Sequence, residues 1–160
     1  MGQDFLAFWR METHIHYLSG GRMLDYAASI RYSRVEASDT VWIVSVRSGR
    51  LRLIGRIIID QVTDMQEAAR IIGREELWPA SHYILPAPDT IRPAVDIDIH
   101  YLVPVLRFAG VNDHLKPKPD GKVSGSQFQQ MRRLSGDSPR LLLDALAAAE
   151  CVTCDVQSGI

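Results

Sequence analysis

Aromatic residues with polar neighbours are the first feature of this sequence that suits a binding site. Trp78 precedes Pro79 in a segment that continues Ser81-His82-Tyr83. An aromatic ring beside hydrogen-bonding groups in a loop is typical of a ligand pocket. A planar base taken out of its stack needs such a site, with aromatic walls and a few donors. The residues we predict to line a base-binding pocket are Trp9, Trp42, Trp78, His82 and Tyr83.

Arginines form the second feature, because Arg47, Arg50, Arg52 and Arg56 lie in a stretch without acidic residues from position 41 to 59. Arg52 and Arg56 have the same parity, so a regular strand would direct both to one face. A bulge at Gly55 would change that. A solvated hairpin, whose arginine stems cover apolar surface, is the alternative. We predict phosphate contacts from Arg10, Arg52 and Arg56.

Motifs for catalysis are missing from the sequence. It contains no glycine-rich phosphate loop, no G-x-S-x-G and no H-E-x-x-H. Cys151 and Cys154 form a C-x-x-C pair, but a zinc site needs two further ligands and no partner pair stands nearby. His14 and His16 would share one side of an extended segment, again without a third ligand at a telling spacing. We therefore expect no catalytic residue, no metal and no cofactor.

Two other classes of function stay open at this stage. A small hydrolase or nuclease would use His82 and His100 with Asp96 or Asp98, and it requires these groups to converge. Paired acids such as Asp96 and Asp98 also occur on ordinary solvated strand faces. A protein-interaction module would instead present the C-terminal helices, where Leu141 and Leu142 lie at the edge of an apolar stripe.

Composition narrows the class of protein. A length of 160 residues with 46% hydrophobic and 23% charged residues is typical of one globular domain. The net charge of −1 excludes nucleic-acid binding through bulk positive charge, so such binding would need a local patch. Two cysteines make no disulfide framework, and neither a signal peptide nor a membrane span is evident. We expect a cytoplasmic protein that does not contact membranes.

The N-terminal half predicts strands, a hairpin and two helices. The elements are a strand at 4–10, a helix at 22–32, a hairpin of 40–47 and 51–62, a helix from Asp64 to Gly73, and a strand at 81–85. The hairpin is the clearest of these, because both arms are rich in Val, Ile and Leu around Ser48-Gly49.

The C-terminal half predicts strands within 95–108, a polar loop at 112–125 and two helices. One helix would open at Ser126 and end near Leu134, and the other would run from Ser138 to Glu150. Its inner face would carry Leu142, Leu143, Leu146 and Ala149. We predict one domain over 1–150, a flexible tail at 151–160, and an α+β fold. Its centre would be a small, mostly antiparallel β-barrel or bent sheet flanked by helices.

Three segments together resemble the PUA-like superfamily and, within it, the EVE-type domains. They are Phe8-Trp9, residues 37–43 (ASDTVWI) and residues 53–58 (LIGRII), within a similarity that covers about residues 4–110. The segment 127–134 also resembles a tail that follows such domains in bacterial restriction-like proteins.

This resemblance implies a pseudo-barrel with a pocket between barrel and helices. Relatives bind RNA or modified DNA bases, and several are sensor modules attached to nucleases. The implied function is a non-catalytic module that binds a modified base in DNA or RNA, alone or with a separate effector protein.

Overall fold

The predicted hairpin is the centre of the sheet. The computed structural model describes residues 2–13 and 22–157, with side chains as far as residue 151. Its strands are β1 (Asp4–Phe8), β2 (Ala27–Ala28), β3 (Thr40–Arg47), β4 (Arg50–Thr63), β5 (Tyr83–Pro86), β6 (Ile97–Asp98) and β7 (Arg132–Arg133). Ser48 and Gly49 both have positive φ, as a tight turn between β3 and β4 requires.

The sheet is open and has the order β2-β5-β4-β3-β1-β7. β6 is not part of this order and pairs with β4 near its start, at Arg52 and Leu53. β4 pairs with β3 along its first part and with β5 along its last residues. β1 and β3 are parallel, whereas the other strand pairs are antiparallel. The predicted α+β class with a mostly antiparallel sheet is confirmed.

Apolar side chains cover both faces of the sheet. On one face, Trp42, Val44 and Leu53 pack with Leu142 of the C-terminal helix, and we call this the helix face. On the other, Ile43 and Ile57 pack with residues of the connection from β1 to β3, which spans 9–39, and we call this the crossover face. Two cores explain why the hairpin strands are nearly continuously apolar instead of alternating.

A bulge in β4 decides where its arginines lie. Ile43 pairs with Gly55 and Val44 with Leu53, so the register shifts by one residue at Ile54. Arg56 is then opposite Trp42 on the helix face, whereas Arg52 is opposite Ser45 on the crossover face. The shared face expected of a regular strand is therefore lost, through a bulge next to Gly55 as the sequence allowed.

The α-helix predicted after Asp64 is confirmed as α1 (Met65–Ile72). Asp64 accepts the amide hydrogen bond of Glu67 at 2.9 Å, and Gly73 ends the helix with φ 77. Its acidic first turn and basic last turn also suit the helix dipole.

The last helix, α2 (Ser138–Gln157), starts where predicted but continues past Glu150, so residues 151–157 are helical and not a tail. Its inner face is Leu142, Ala145 and Leu146, whereas Leu143 is 41% exposed. No helix in the described part of the chain is long and apolar enough to cross a membrane.

Two predicted helices do not form. Residues 22–32 contain β2 and part of the 3₁₀ helix Ile30–Arg34, because Ala27 and Ala28 pair with β5. Residues 126–134 contain the end of the 3₁₀ helix Gly125–Phe128 and then β7, which occupies the free edge of β1. In both cases a segment whose local sequence favours a helix instead forms a short strand, because it pairs with a strand edge that would otherwise be unpaired.

Candidate binding site

A cavity of about 520 Å³ opens on the crossover face, beside the end of β1. Parallel strands need a long connection, and the one between β1 and β3 crosses over the sheet here. The described residues that line the cavity are Ala7, Phe8, Trp9, Arg10, Glu12, Thr13, Arg22, Tyr26, Ala27, Ala28, Ser29, Arg31, Tyr32, Glu76, Leu77, Trp78, Pro79 and Met131. The volume is in the range of small-molecule sites.

Trp9 forms one aromatic wall of this cavity. Its amide donates to Val44 O at 2.8 Å, which extends the pairing of β1 with β3 by one residue. Its side chain hydrogen-bonds to Tyr32, and since an indole N–H can only donate, the tyrosine oxygen accepts. Burial raises the pKa of Tyr32 far above its ordinary value, against the lowering effect of this bond. Tyr32 therefore stays neutral and fixes the ring of Trp9.

Trp78 forms another wall, and its side chain is 64% exposed although its main chain is held. The Trp78 amide donates to the Tyr26 hydroxyl at 3.0 Å. The Tyr83 hydroxyl donates to the Trp78 carbonyl and accepts from the Ala80 amide at 3.2 Å. An exposed indole on a fixed backbone loses little entropy when a flat ligand stacks on it.

The two tyrosines that hold Trp78 are themselves fixed by their neighbours. Tyr26 and Tyr83 stack with ring centroids 5.9 Å apart. Arg74 lies over the Tyr26 ring and binds both carboxylate oxygens of Asp25 at 2.9 Å. Burial raises the pKa of Tyr83, which keeps its hydroxyl protonated as a donor.

Positive charge is available at the cavity. Arg10, Arg22 and Arg31 are exposed, and none of them makes an ion pair with another described residue. Glu12 and Glu76 are the acidic residues of the described lining, so arginines outnumber carboxylates there. Unpaired guanidinium groups beside aromatic walls are suited to a ligand with a planar ring and a phosphate.

Three of the four hairpin arginines, in contrast, are already paired with carboxylates. Arg47 and Arg52 each contact Asp96, at 2.8 and 2.7 Å, and Arg50 contacts Asp98 at 2.7 Å. Asp98 lies in β6 and Asp96 directly precedes it, and β6 pairs with β4 across more than forty residues of chain. Local composition suggested an acid-free patch, but the fold supplies the acids from elsewhere.

The hairpin–β6 ion pairs hold both aspartates ionised. Hydrogen bonds from Arg50 lower the pKa of Asp98 to about 2, against a smaller opposing effect of burial. Burial raises the pKa of Asp96, but the hydrogen bonds from Arg52 and Arg47 outweigh it and the pKa is lowered overall.

Several residues predicted for the pocket lie elsewhere. Trp42 is 2% exposed and donates to Asp4 at 2.9 Å within the core, so it is no pocket wall. Tyr83 is fully buried and acts on the cavity only through Trp78. His82 bonds to Ser81 at 2.8 Å and is not part of the lining. Trp9 and Trp78 do line the cavity.

The predicted phosphate contacts are likewise divided. Arg10 lies at the cavity. Arg52 is engaged by Asp96 and Asp98, and Arg56 lies over the Trp42 ring at 5.5 Å on the helix face. Neither lies at the cavity, so the sequence-based assignment of Arg52 and Arg56 to the same site as Trp78 is wrong.

The groups of the enzyme hypothesis do not converge. His82 adjoins β5, which pairs with the end of β4, whereas Asp98 pairs near its start. His100 accepts from the Leu51 amide at 3.2 Å and contacts Gly121 O at 2.8 Å, so it connects the hairpin to a loop. Within the described residues no group of three or more His, Cys, Asp or Glu side chains is placed to hold a metal ion.

Those of the remaining candidates that the structure describes form no site. Cys151 is exposed on α2, whereas the side chain of Cys154 and the residues His14 and His16 lie outside the described part of the chain. Leu142 is fully buried and Leu141 packs partly against the same core, so neither presents the free apolar edge that an interaction surface requires.

Sequence reasoning missed the residues that support the cavity: Arg22, Arg31, Tyr26 and Tyr32. The helix predicted at 22–32 includes Arg31 and Tyr32, whose side chains would point in different directions on a helix. Their partners are remote in the chain, since Tyr26 acts on Trp78 and Tyr32 acts on Trp9. The pattern Trp78-Pro79 did locate the loop correctly.

No protein-family profile matches this sequence, and no curated protein matches it. Solved structures do resemble its fold. They are ASCH proteins. The ASCH protein of Zymomonas mobilis is 14% identical with a TM-score of 0.48, and the match covers 89% of this chain and 94% of that one. A serine-to-alanine variant of it gives 15% identity, a TM-score of 0.49 and coverage of 89% and 95%.

ASCH domains belong to the PUA-like superfamily, whereas the EVE type is not confirmed. Identities this low and TM-scores below 0.5 assign neither a ligand nor an activity to this chain.

Proposed function

We propose that this protein is a non-catalytic nucleic-acid-binding module that takes one unstacked base into the cavity between Trp9 and Trp78. The observation that carries the proposal is the combination of these two aromatic walls with Arg10, Arg22 and Arg31, which are exposed and make no ion pair with another described residue. A base supplies the flat ring and its backbone supplies the phosphates.

Size and chemistry support a base as the ligand. The cavity of about 520 Å³ exceeds the space a single base needs, which leaves room for a base that carries a modification. Stacking on an aromatic residue is worth about 1–3 kcal/mol per base. A base must leave its stack to enter such a site, so a modified or single-stranded base is the favoured ligand.

Charge supports the same ligand. The protein carries a net charge of −1, so it has no general attraction for polyanions. Three exposed arginines at one cavity provide a local attraction instead. Phosphate contacts give affinity without selectivity, whereas contacts with the base give selectivity.

A binding screen tests the proposal. Labelled single-stranded RNA and DNA oligonucleotides, plain and carrying modified bases, would be titrated at two salt concentrations. We expect binding that weakens with salt and is tighter for some modified base than for its plain counterpart. Incubated oligonucleotides should stay intact on a denaturing gel. An absence of binding to the whole set would refute the proposal.

Two variants separate the roles within the site. Trp78→Ala should abolish the preference for the modified base, and Arg31→Ala should weaken all oligonucleotides alike and reduce the salt slope. Arg140→Ala is the matched control, because Arg140 is exposed on α2, which packs on the opposite face of the sheet. Thermal melting of each variant must first match the parent protein.

A further inference from the structure

A second cleft of about 380 Å³ adjoins the cavity. Its described lining is Ile30, Arg31, Ser33, Arg34, Gln130 and Met131. Arg31 and Met131 line both spaces, so the two clefts adjoin at these side chains. Arg31 can therefore contact a group that lies between them.

The charged side chains in the described lining of the second cleft are all positive. Arg31 and Arg34 lie on the same 3₁₀ helix and are exposed, and neither makes an ion pair with another described residue. Ser33 and Gln130 add neutral hydrogen-bonding groups, and none of the described lining residues is acidic. The cleft thus offers guanidinium and amide donors to an anion.

An exposed apolar side chain lies at the same place. Ile30 is 72% exposed beside Arg31, although a side chain of this size is usually buried. An aliphatic group next to two guanidinium groups can pack on a sugar or base edge while the phosphate is bound.

We infer that the second cleft binds the nucleotide next to the recognised base, and that this nucleotide lies between Arg31 and Arg34. This inference rests on the proposed function and specifies the ligand further. The substrate is a single-stranded segment of at least two nucleotides, not a free nucleoside or mononucleotide. Arg31 contacts the phosphate that links the two nucleotides, and Arg34 contacts the far side of the second one.

A length series tests this inference. The ligands are a nucleoside, its 5′- and 3′-monophosphates, a dinucleotide and a tetranucleotide of the best sequence from the screen, titrated by calorimetry. We expect affinity to rise by about tenfold or more from the monophosphates to the tetranucleotide, because only the longer ligand adds a phosphate for Arg34 and a charge-assisted phosphate contact is worth about 1.5–3 kcal/mol. Equal affinity for mononucleotide and tetranucleotide would overturn the inference while leaving the proposed function standing.

Variants locate the effect. Arg34→Ala should remove most of the gain with length and reduce the salt slope for the tetranucleotide by about 0.7. Arg140→Ala should change none of these quantities. If Arg34→Ala binds the tetranucleotide as the parent does, the second cleft is not the site. If no ligand of the series binds to the parent protein, the proposed function fails and this inference fails with it.

Discussion

Trp78 combines an exposed indole with a main chain that is held at both its amide and its carbonyl. Tyr26 accepts from the amide, and Tyr83 donates to the carbonyl. Trp42, of the same residue type, is buried and serves the core. The role of each tryptophan follows from its neighbours and not from its type.

Tyr83→Phe should weaken oligonucleotide binding without changing its salt slope. The substitution keeps the ring stacked on Tyr26 but removes the hydroxyl that bonds to Trp78 O and Ala80 N. The loop then orders only on binding, which lowers affinity, whereas the phosphate contacts are unchanged. Titration at several salt concentrations measures both quantities. Tyr101→Phe, at an exposed tyrosine, is the control. Unchanged affinity of Tyr83→Phe would show that Trp78 needs no support from it.

Two buried serines should respond oppositely to alanine. Ser45 Oγ has no hydrogen-bond partner in the described structure, whereas Ser138 Oγ accepts from the Arg107 amide at 2.7 Å. Ser45→Ala removes an unsatisfied polar group and should raise the free energy of unfolding. Ser138→Ala leaves a part-buried amide unpaired and should lower it by about 1–3 kcal/mol. Urea denaturation of both variants measures these changes in the free energy of unfolding. A loss of stability in Ser45→Ala would contradict this reasoning.

At the scale of elements, the β6 region supplies the carboxylates that pair with three arginines of the hairpin. Asp96 and Asp98 contact Arg47, Arg50 and Arg52 across the β4–β6 pairing. The hairpin is thereby joined to the 95–108 segment and is less available to an external phosphate.

This network predicts a loss of stability in acid. The pKa of Asp98 is about 2 in the folded protein against an ordinary value of 3.8. A lowered folded pKa contributes stability above the unfolded value, and the contribution is lost as pH falls from about 4 toward 2. Asp98→Asn should therefore be less stable than the parent at pH 7, and the two stabilities should converge near pH 2. Urea denaturation at stepped pH measures this.

The control for the acid experiment is Asp60→Asn, at an exposed aspartate that makes no ion pair with another described residue. Its stability should follow that of the parent protein at every pH. Parallel curves for Asp98→Asn and the parent would mean that the ion pairs contribute nothing measurable.

The β4 bulge predicts that Gly55→Ala is destabilising. Gly55 has φ 152, and an added Cβ would lie 2.5 Å from Leu24 Cδ1. Gly110 also has positive φ, at 102, but no atom lies within 4 Å of an added Cβ. Gly110→Ala therefore measures backbone strain alone. We expect Gly55→Ala to cost about 1–3 kcal/mol more by urea denaturation, the usual cost of overpacking. Equal losses of stability in the two variants would show that backbone strain accounts for the whole effect of Gly55→Ala.

At the scale of the whole molecule, the net charge is −1, so the protein has no general excess of positive charge. Three arginines of the hairpin are paired with carboxylates, whereas the arginines at the two clefts are exposed and make no ion pair with another described residue. Binding of nucleic acid should therefore depend on a few phosphates and not on the general field of the protein.

Salt dependence tests this distribution. If Arg10, Arg22, Arg31 and Arg34 each neutralise one phosphate of a single strand, log K against log salt should have a slope of about −3. The affinity for a 5′-phosphorylated tetranucleotide of the best sequence, which carries four phosphates, would be measured over a series of salt concentrations. A slope near zero would exclude phosphate contacts, and one steeper than about −6 would imply a much larger basic surface.

The sequence by itself determined the hairpin, α1, the start of α2 and the α+β class. Each depends on local physics: Ser48-Gly49 adopts positive φ, Asp64 and Gly73 cap a helix, and Ser138-Pro139 starts one. It also located the Trp78-Pro79 loop, since aromatic and turn residues coincide there. These features need no partner that is distant in the chain.

Tertiary structure alone decided which aromatic residues line the cavity and which arginines are free. The sequence places both Trp9 and Trp42 in predicted strands. Only Trp9 lines the cavity beside the crossover connection, whereas Trp42 is buried in the core. Arg52 meets Asp96 through a strand pairing that no local pattern reveals, and the Ile54 bulge turns Arg56 to the other face. Strand edges and ion pairs are made between segments remote in the chain, so their outcome depends on the assembled sheet.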